Sequence, residues 1–230
     1  MGTLYLVSTP IGNLEDITMR AVRLLGEVDL IAAEDTRKTR RLLDRYDIRT
    51  RMTSVHEHNE RHRVPNLLNE LENGADIALV SNAGTPNLSD PGFVFVREAI
   101  ARGITVTPVP GANAMLAALT ASGLATHRFV FEGFLPRKKG ARQKRLETIA
   151  NGSMTAIVYE SPYRMAKLLA EIRELMPDRR LVVARELTKI HEEFLRGTAT
   201  ELAHLFEERT YKGEFTVVIE GLDRTAKSRT

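Results

Sequence analysis

DIALVSNAGTPNLSDPG, residues 76–92, is the stretch from which the fold is read. Asp76–Ser81 is apolar except at its ends, the pattern of a buried strand. It runs into Asn82, Ala83, Gly84, Thr85 and Pro86. A second turn of small residues follows at Ser89, Asp90, Pro91 and Gly92, and a helical pattern opens at Phe93. So little bulk lets backbone approach a ligand closely, because Gly lacks Cβ and Pro has its φ already fixed. In open α/β sheets ligands bind just past the carboxyl ends of strands. The same composition also serves a plain strand-to-helix connection, and this segment alone does not choose between the two.

Outward from this point, short β-branched runs alternate with helical patterns. Strands are expected at 3–8, 28–33, 76–81, 104–109, 129–133, 154–160, 181–186 and 215–220, with weaker ones at 52–55 and 192–197. Helices are expected near 16–26, 36–46, 60–73, 93–102, 112–122, 141–150, 162–176 and 198–209. Asp16, Asp35 and Ser161-Pro162 read as helix starts, and Gly74, Gly103, Gly123 and Gly152 as left-handed helix ends. The alternation implies an α/β protein with largely parallel sheets. About ten strands suit two sheets better than one. The division is expected after Val109-Pro110-Gly111, giving an N-terminal α/β domain over 1–112 and a C-terminal one over 113–222. The polar segment 223–230 (DRTAKSRT) reads as a disordered tail.

The 230 residues are 43% hydrophobic and 27% charged, an ordinary globular balance. No apolar run approaches the roughly 20 residues that span a bilayer, so no membrane partner is expected. The opening MGTLYLVSTPIGN reads as a first strand, not a signal peptide, and a cytoplasmic location fits. The absence of cysteine excludes disulfides, thiolate metal sites and cysteine nucleophiles. His56, His58 and His62 form the one metal-like cluster. Nothing elsewhere completes its spacing, and no metal is expected. Net charge is only +3, but residues 136–145 (PRKKGARQKR) hold six Lys or Arg and no acid, and Arg37, Lys38, Arg40, Arg41 and Arg45 share one predicted helix. Such clusters are usually solvated faces, and they also suit phosphate contact.

The common nucleotide-binding loops and the nucleophile elbow are absent. What remains is a set of small-residue loops after predicted strands: 9–13 (TPIGN), 82–92 and 108–114 (PVPGANA) in the first half, and 159–164 (YESPYR) and 185–189 (RELTK) in the second. If strands 3–8, 76–81 and 104–109 run parallel, the first three loops gather on one sheet edge. A small-molecule site walled by such loops, between two α/β halves, is physically sensible.

The segments STPIGNLEDIT (8–18), LIAAEDTR (30–37), HEHNE (56–60), ALVSNAGTPNLSDPG (78–92), PVPG (108–111), FEGFLPRKKGARQKRL (131–146), YESPYR (159–164), VVARELTKIHEEFLRGT (182–198) and KGEFTVVIEG (212–221) carry a resemblance over nearly the whole chain. It resembles the tetrapyrrole methylase-like family of S-adenosylmethionine-dependent methyltransferases, and within it the enzymes that methylate small-subunit ribosomal RNA. The resemblance implies two packed α/β domains of the tetrapyrrole methylase type with a ligand cleft between them, a homodimer, and S-adenosyl-L-methionine as cofactor. The activity it implies is 2′-O-methylation of a cytidine in the decoding region of 16S rRNA, within the 30S subunit. By motif, Pro10, Ile11 and Gly12 would form the first wall of the donor site. Gly84, Thr85, Leu88 and Asp90 would cradle the amino-acid end and sulfonium. Ala112, Asn113 and Ala114 would follow the ribose and adenosine, and Tyr159 with Val217 or Val218 would approach the adenine. Asn82, expected among the donor contacts, stands where the family usually has Asp, which removes a negative charge near the sulfonium. Ala112-Asn113 replaces a common Pro-Ser. Many members also continue past the KGEF strand into a helical extension, whereas this sequence ends at Thr230.

Transfer to a ribose hydroxyl asks for positioning and for a base or cation near the developing alkoxide. Glu186, Lys189 and Glu192 are the leading candidates, with Glu34, Asp35 and Arg37 a second polar set, and spacing does not decide among them. Arg37, Arg137, Lys138, Lys139, Arg142, Lys144 and Arg145 are the expected phosphate contacts. Phe131 and Phe134 are expected in the core. Two other readings compete: methylation of a corrin or porphyrin precursor, and a non-catalytic RNA- or ribosome-binding protein.

Overall fold

Strands and helices alternate over most of Thr3–Ile219 in the computed structural model, which describes residues 1–209 and 211–222. The expected tail, 223–230, lies outside the described residues. The chain divides into two compact units, Met1–Asn113 and Ala114–Thr230.

The first unit comprises β1 (Thr3–Val7), α1 (Met19–Glu27), β2 (Leu30–Ala33), α2 (Thr36–Arg45), β3 (Met52–Ser54), α3 (Glu60–Glu72), β4 (Ile77–Val80), α4 (Phe93–Ala101) and β5 (Thr105–Val109). Its strands form one parallel sheet in the order β3-β2-β4-β1-β5. The strands are apolar on both sides because both faces are covered. Leu4, Leu30, Ile77 and Leu79 pack with Val64, Leu68 and Phe95 of α3 and α4. Val7, Ile31, Ala78 and Val80 pack with Leu24, Leu25 and Leu43 of α1 and α2. The helix expected from Asp16 begins later. Leu14–Asp16 is a single 3₁₀ turn, and Thr18 caps α1 through its hydroxyl on Ala21 N–H. Asp35 caps α2 as expected.

The second unit comprises α5 (Ala114–Ser122), β6 (Phe129–Phe134), α6 (Lys139–Asn151), β7 (Thr155–Glu160), α7 (Pro162–Leu175), β8 (Arg180–Arg185), β9 (Glu193–Thr198), α8 (Ala199–Glu208) and β10 (Phe215–Ile219). The expectation of largely parallel sheets fails here. In the order β6-β7-β10-β8-β9, only β6 and β7 are parallel. β8 and β9 are joined by the short segment 186–192, too short for the crossover that parallel neighbours need. The helices α6, α7 and α8 bury one face of this sheet against Val158, Val183, Val217 and Ile219. Gly74, Gly103 and Gly123 take positive φ at helix ends, whereas Gly152 ends α6 in an extended conformation. Among the described residues no helix is long and apolar enough to cross a membrane.

Candidate active site at the sheet's carboxyl edge

The strand order of the first unit creates a divergence between β1 and β4. From β1 the chain crosses to β2 on one side, while from β4 it crosses to β5 on the other. The helices that make these crossings, α1 and α4, lie on opposite faces of the sheet. Such a switch point leaves a crevice at the carboxyl ends of the two strands. The loops 8–13, 81–92 and 110–113 meet there, as the parallel arrangement requires.

Hydrogen bonds lace these loops together. Thr9 N–H donates to the Gly84 carbonyl and Gly84 N–H to the Thr9 carbonyl, both at 2.9 Å. The Thr85 hydroxyl accepts from Ser8 Oγ and from Asn113 Nδ2, each at 3.1 Å, and donates to the Ala112 carbonyl at 3.4 Å. One hydroxyl thereby ties all three loops and uses its full hydrogen-bonding capacity. The approach is close. A Cβ on Gly84, whose φ is +78°, would lie 3.3 Å from the Ile11 side chain, and one on Gly111 would lie 2.9 Å from Ser8 Cβ. Pro10 and Ile11 are half-buried, while Gly12 and Leu88 are exposed. Asn87 and Ser89 take positive φ in the turn around Leu88. Glu60, reaching from α3, accepts from Phe95 N–H and anchors the start of α4, where Gly92 offers no side-chain cap. Sequence reading did not single out that anchor.

Acidic groups gather at the same edge. Glu34 Oε2 accepts from Asn82 N–H at 3.0 Å. Burial, then the charge of Glu34, pushes the Asp90 carboxyl up to about 6 against the lowering effect of a Ser81 hydrogen bond. The side-chain Oδ1 of Asn82 is buried with no hydrogen-bond partner. Asn82 also lines a pocket of about 250 Å³ with Thr9, Pro10, Leu14, Lys38, Thr39, Arg41, Leu42 and Ser81. Arg37, by contrast, folds back onto Asp35 with a 3.1 Å ion pair. The Arg37 hydrogen bonds and charge hold the Asp35 carboxyl at about 2.

In the second unit, Glu186, Lys189 and Glu192 share the turn between β8 and β9. Glu186 Oε1 accepts from Lys189 Nζ and from Glu214 N–H, each at 2.9 Å. Lys189 Nζ also donates to Glu214 Oε2 at 2.9 Å, and Glu192 accepts from Thr188 N–H at 2.6 Å. Burial works to raise the Glu186 carboxyl, but the Lys189 and Glu214 hydrogen bonds outweigh it and hold it low. Burial likewise works to lower Lys189, and its carboxylate partners raise it. The turn therefore presents an ammonium held charged and a carboxylate held ionised, a poor pair for taking a proton at neutral pH.

Ala114 opens α5. Tyr159 accepts from Met115 N–H at 3.1 Å, and its ring lies edge-on to Phe131 and Phe134. Phe134, expected in the core, is 57% exposed. Val217 and Val218 are wholly buried in the central strand, whose two edges are both paired; the structure leaves them no free edge or surface for a ligand. Arg137, Lys138, Lys139 and Lys144 are exposed, and Arg145 is half-exposed with Glu132 at 3.2 Å. Arg142, expected to meet phosphate, is buried. It pairs with Glu160 at 3.0 Å and with Glu171, while Arg164 joins Glu160 at 3.1 Å. That correction follows from α6 periodicity, because Arg142, Leu146 and Ile149 share the inward face.

Comparison with known proteins agrees with this architecture. The profile of the family described as Tetrapyrrole (Corrin/Porphyrin) Methylases matches residues 3–203. A ribosomal RNA small subunit methyltransferase I of Halalkalibacterium halodurans is 52% identical over 220 residues, 96% of this chain and 76% of that protein. The protein of the same name from Synechocystis is 52% identical over 222 residues, 96% of this chain and 80% of its own. In fold, the uroporphyrin-III C-methyl transferase of Thermus thermophilus, solved in complex with S-adenyl homocysteine, superposes with a TM-score of 0.67 at 21% identity, covering 94% of this chain and 97% of that one. The chain belongs to the tetrapyrrole methylase family, on the branch of the ribosomal RNA small subunit methyltransferases I.

Proposed function

We propose that this protein transfers a methyl group from S-adenosyl-L-methionine to a ribose 2′-hydroxyl of a cytidine in the decoding region of 16S rRNA, acting as a homodimer on the 30S particle in the cytoplasm. The observation that carries the reading is identity of about half the residues, across 96% of the chain, to proteins bearing the small-subunit rRNA methyltransferase name. The residues at the switch point fit a sulfonium nucleoside. Their turns have little bulk, and the carboxylates Glu34 and Asp90 complement its positive charge. Pro10, Ile11, Gly84, Thr85, Asp90, Ala112 and Asn113 would hold the donor, largely through backbone, with Gly12, Leu88, Ala114 and Tyr159 at its margins. When bound, the donor supplies an electrophilic methyl whose thioether leaving group departs readily.

The chain's own contribution is position and proton removal. A ribose hydroxyl must lose its proton as its oxygen forms the new bond to carbon. Asp90, held near 6, is largely ionised at neutral pH and basic enough to accept that proton. Lys189, kept charged by Glu186 and Glu214, is the cation we assign to alkoxide stabilisation or to a nearby phosphate. Glu186 and Glu192 shape its turn. The exposed Arg137, Lys138, Lys139 and Lys144, with Arg37 and Arg145, are the phosphate contacts of this proposal, and Arg142 is not among them.

The test is incubation of the purified protein with labelled donor and 30S particles from cells lacking the gene. Label in 2′-O-methylcytidine after nuclease digestion is the expected result. Label in a base, or in a corrin or porphyrin precursor with none in 30S, overturns the substrate. Absence of donor binding by calorimetry overturns the enzymatic reading.

A further inference from the structure

Glu160 ends β7 with a side chain that solvent does not reach, and a charged network gathers on it. Its Oε2 accepts from Arg142 Nη1 of α6 at 3.0 Å and from Arg164 Nη2 of α7 at 3.1 Å. Its Oε1 accepts from Ser161 N–H at 2.8 Å. Arg164 Nη2 also donates to the Leu135 carbonyl at 2.9 Å, and Arg142 Nε meets Glu171. One carboxylate thereby fastens both ends of segment 135–142, its start through Arg164 and its end through Arg142. Two guanidinium groups against two carboxylates leave the network neutral. Within the fastened segment Arg137, Lys138 and Lys139 are exposed, and among the described residues no ion pair holds any of them.

Local preference does not start a helix here. Lys138, the N-cap of α6, makes no side-chain cap hydrogen bond, and the first turn holds no acid. Lys138 and Lys139 sit at the positive end of the helix dipole, and Gly140 is a poor helix former. Stability does not account for the network either. Buried ion pairs often gain nothing over well-packed apolar side chains of the same volume, and this one leaves Arg142 Nη2 buried with no hydrogen-bond partner. What the network supplies is geometry: a helix start that its own sequence disfavours is held in one place with its cations in water. We propose that Glu160 is a positioning residue for RNA. Through Arg142 and Arg164 it holds Arg137, Lys138 and Lys139 in a fixed array, so that a phosphate backbone meets them without first having to order them. Glu160 and Arg142 are buried, and Arg164 is committed to Glu160 and Leu135, so none of the three is itself a phosphate contact. The inference rests on the RNA-methylating reading and deepens it by naming what sets up the phosphate contacts.

Two variants loosen the segment without stranding a buried charge. Arg164→Met keeps the alkyl stem and frees the Leu135 carbonyl, while Glu160 keeps Arg142. Arg142→Met/Glu160→Leu exchanges the buried pair for apolar groups and leaves Glu171 and Arg164, whose side chains are 23% and 27% exposed, to solvent. If the double variant fails to fold, Arg164→Met carries the test alone. Both are expected to bind S-adenosylmethionine as the wild type does and to keep kcat on 30S particles from cells lacking the gene, while KM for 30S rises about tenfold. The salt slope of oligouridylate binding should fall by about one, and amide exchange should accelerate at 137–141. The decisive measurement is coupling: Lys138→Ala/Lys139→Ala should raise KM strongly in the wild type and far less in Arg164→Met. Wild-type KM and salt slope in the variants overturn the proposal, because the network would then serve stability alone. Additive effects of Arg164→Met and the lysine changes overturn it too, as does a loss of kcat or donor affinity at unchanged KM. If 30S is not a substrate, oligouridylate still decides: binding weakened in Arg164→Met and coupled to Lys138 and Lys139 upholds the positioning role while the rRNA reading falls.

Discussion

Thr9 and Gly84 exchange both of their backbone hydrogen bonds at 2.9 Å, an antiparallel stitch across two strands that run parallel. The stitch exists because Gly84 adopts a φ of +78° that side chains resist. Gly84→Ala should cost about 1–2 kcal/mol in the left-handed conformation and press against the Ile11 side chain. Calorimetry with S-adenosylmethionine is expected to show at least a tenfold loss of affinity, while the melting temperature falls by only a few degrees.

Thr85→Val removes the hydroxyl shared by Ser8, Asn113 and Ala112. Two donors and one carbonyl lose a partner, at a cost of about 1–3 kcal/mol. Urea denaturation should show that loss with an unchanged m-value. Hydrogen exchange should accelerate at 8–13 and 110–113 together.

Asp90 gives a pH signature. Its carboxyl sits at about 6, above the ordinary aspartate value, chiefly through burial. As a base it works only when ionised, so kcat/KM should rise through pH 6 and level off above 7. The stability sign is opposite. A carboxyl raised in the folded state is favoured while protonated, and the folded protein loses stability as pH climbs through 6. Asp90→Asn should therefore abolish methyl transfer, raise the melting temperature at pH 8, and leave it near wild type at pH 4. A flat wild-type rate profile between pH 5 and 8 would remove Asp90 from the proton transfer.

Two groups of cations in one basic run should behave differently. Changing Lys138, Lys139 and Lys144 to Glu is expected to weaken RNA binding and flatten its salt dependence without touching stability, since all three are exposed. Arg142 is buried against Glu160 and Glu171. Glu160→Ala leaves that guanidinium buried and under-paired, at a cost of about 3–5 kcal/mol. A thermal melt would show it, with donor binding per folded molecule unchanged.

The contrast at Arg142 shows what the sequence can and cannot disclose. Six basic residues in ten read as a solvated stripe because charge density says nothing about which side of α6 each faces. Only the helical phase with Leu146 and Ile149 places Arg142 inside. Strands and helices were legible nearly to their ends, since periodicity and small-residue turns report them locally. Strand direction in the second sheet was not, because β8 and β10 carry the same apolar pattern whichever way they run. The loops after β1, β4 and β5 were visible as a set. Their lacing through Thr85 was hidden, because threonine in a turn has many ordinary uses. Val217 and Val218 came from the family resemblance, and their place in the middle of a doubly paired strand is a matter of tertiary context.

The lacing has a thermodynamic corollary. Because the three turns at the crevice are fastened to one another before any ligand arrives, they behave as one stiff body. Association then need not quench loop motion, so the affinity of the cradle should depend little on temperature-sensitive ordering and should show itself mainly as slow release.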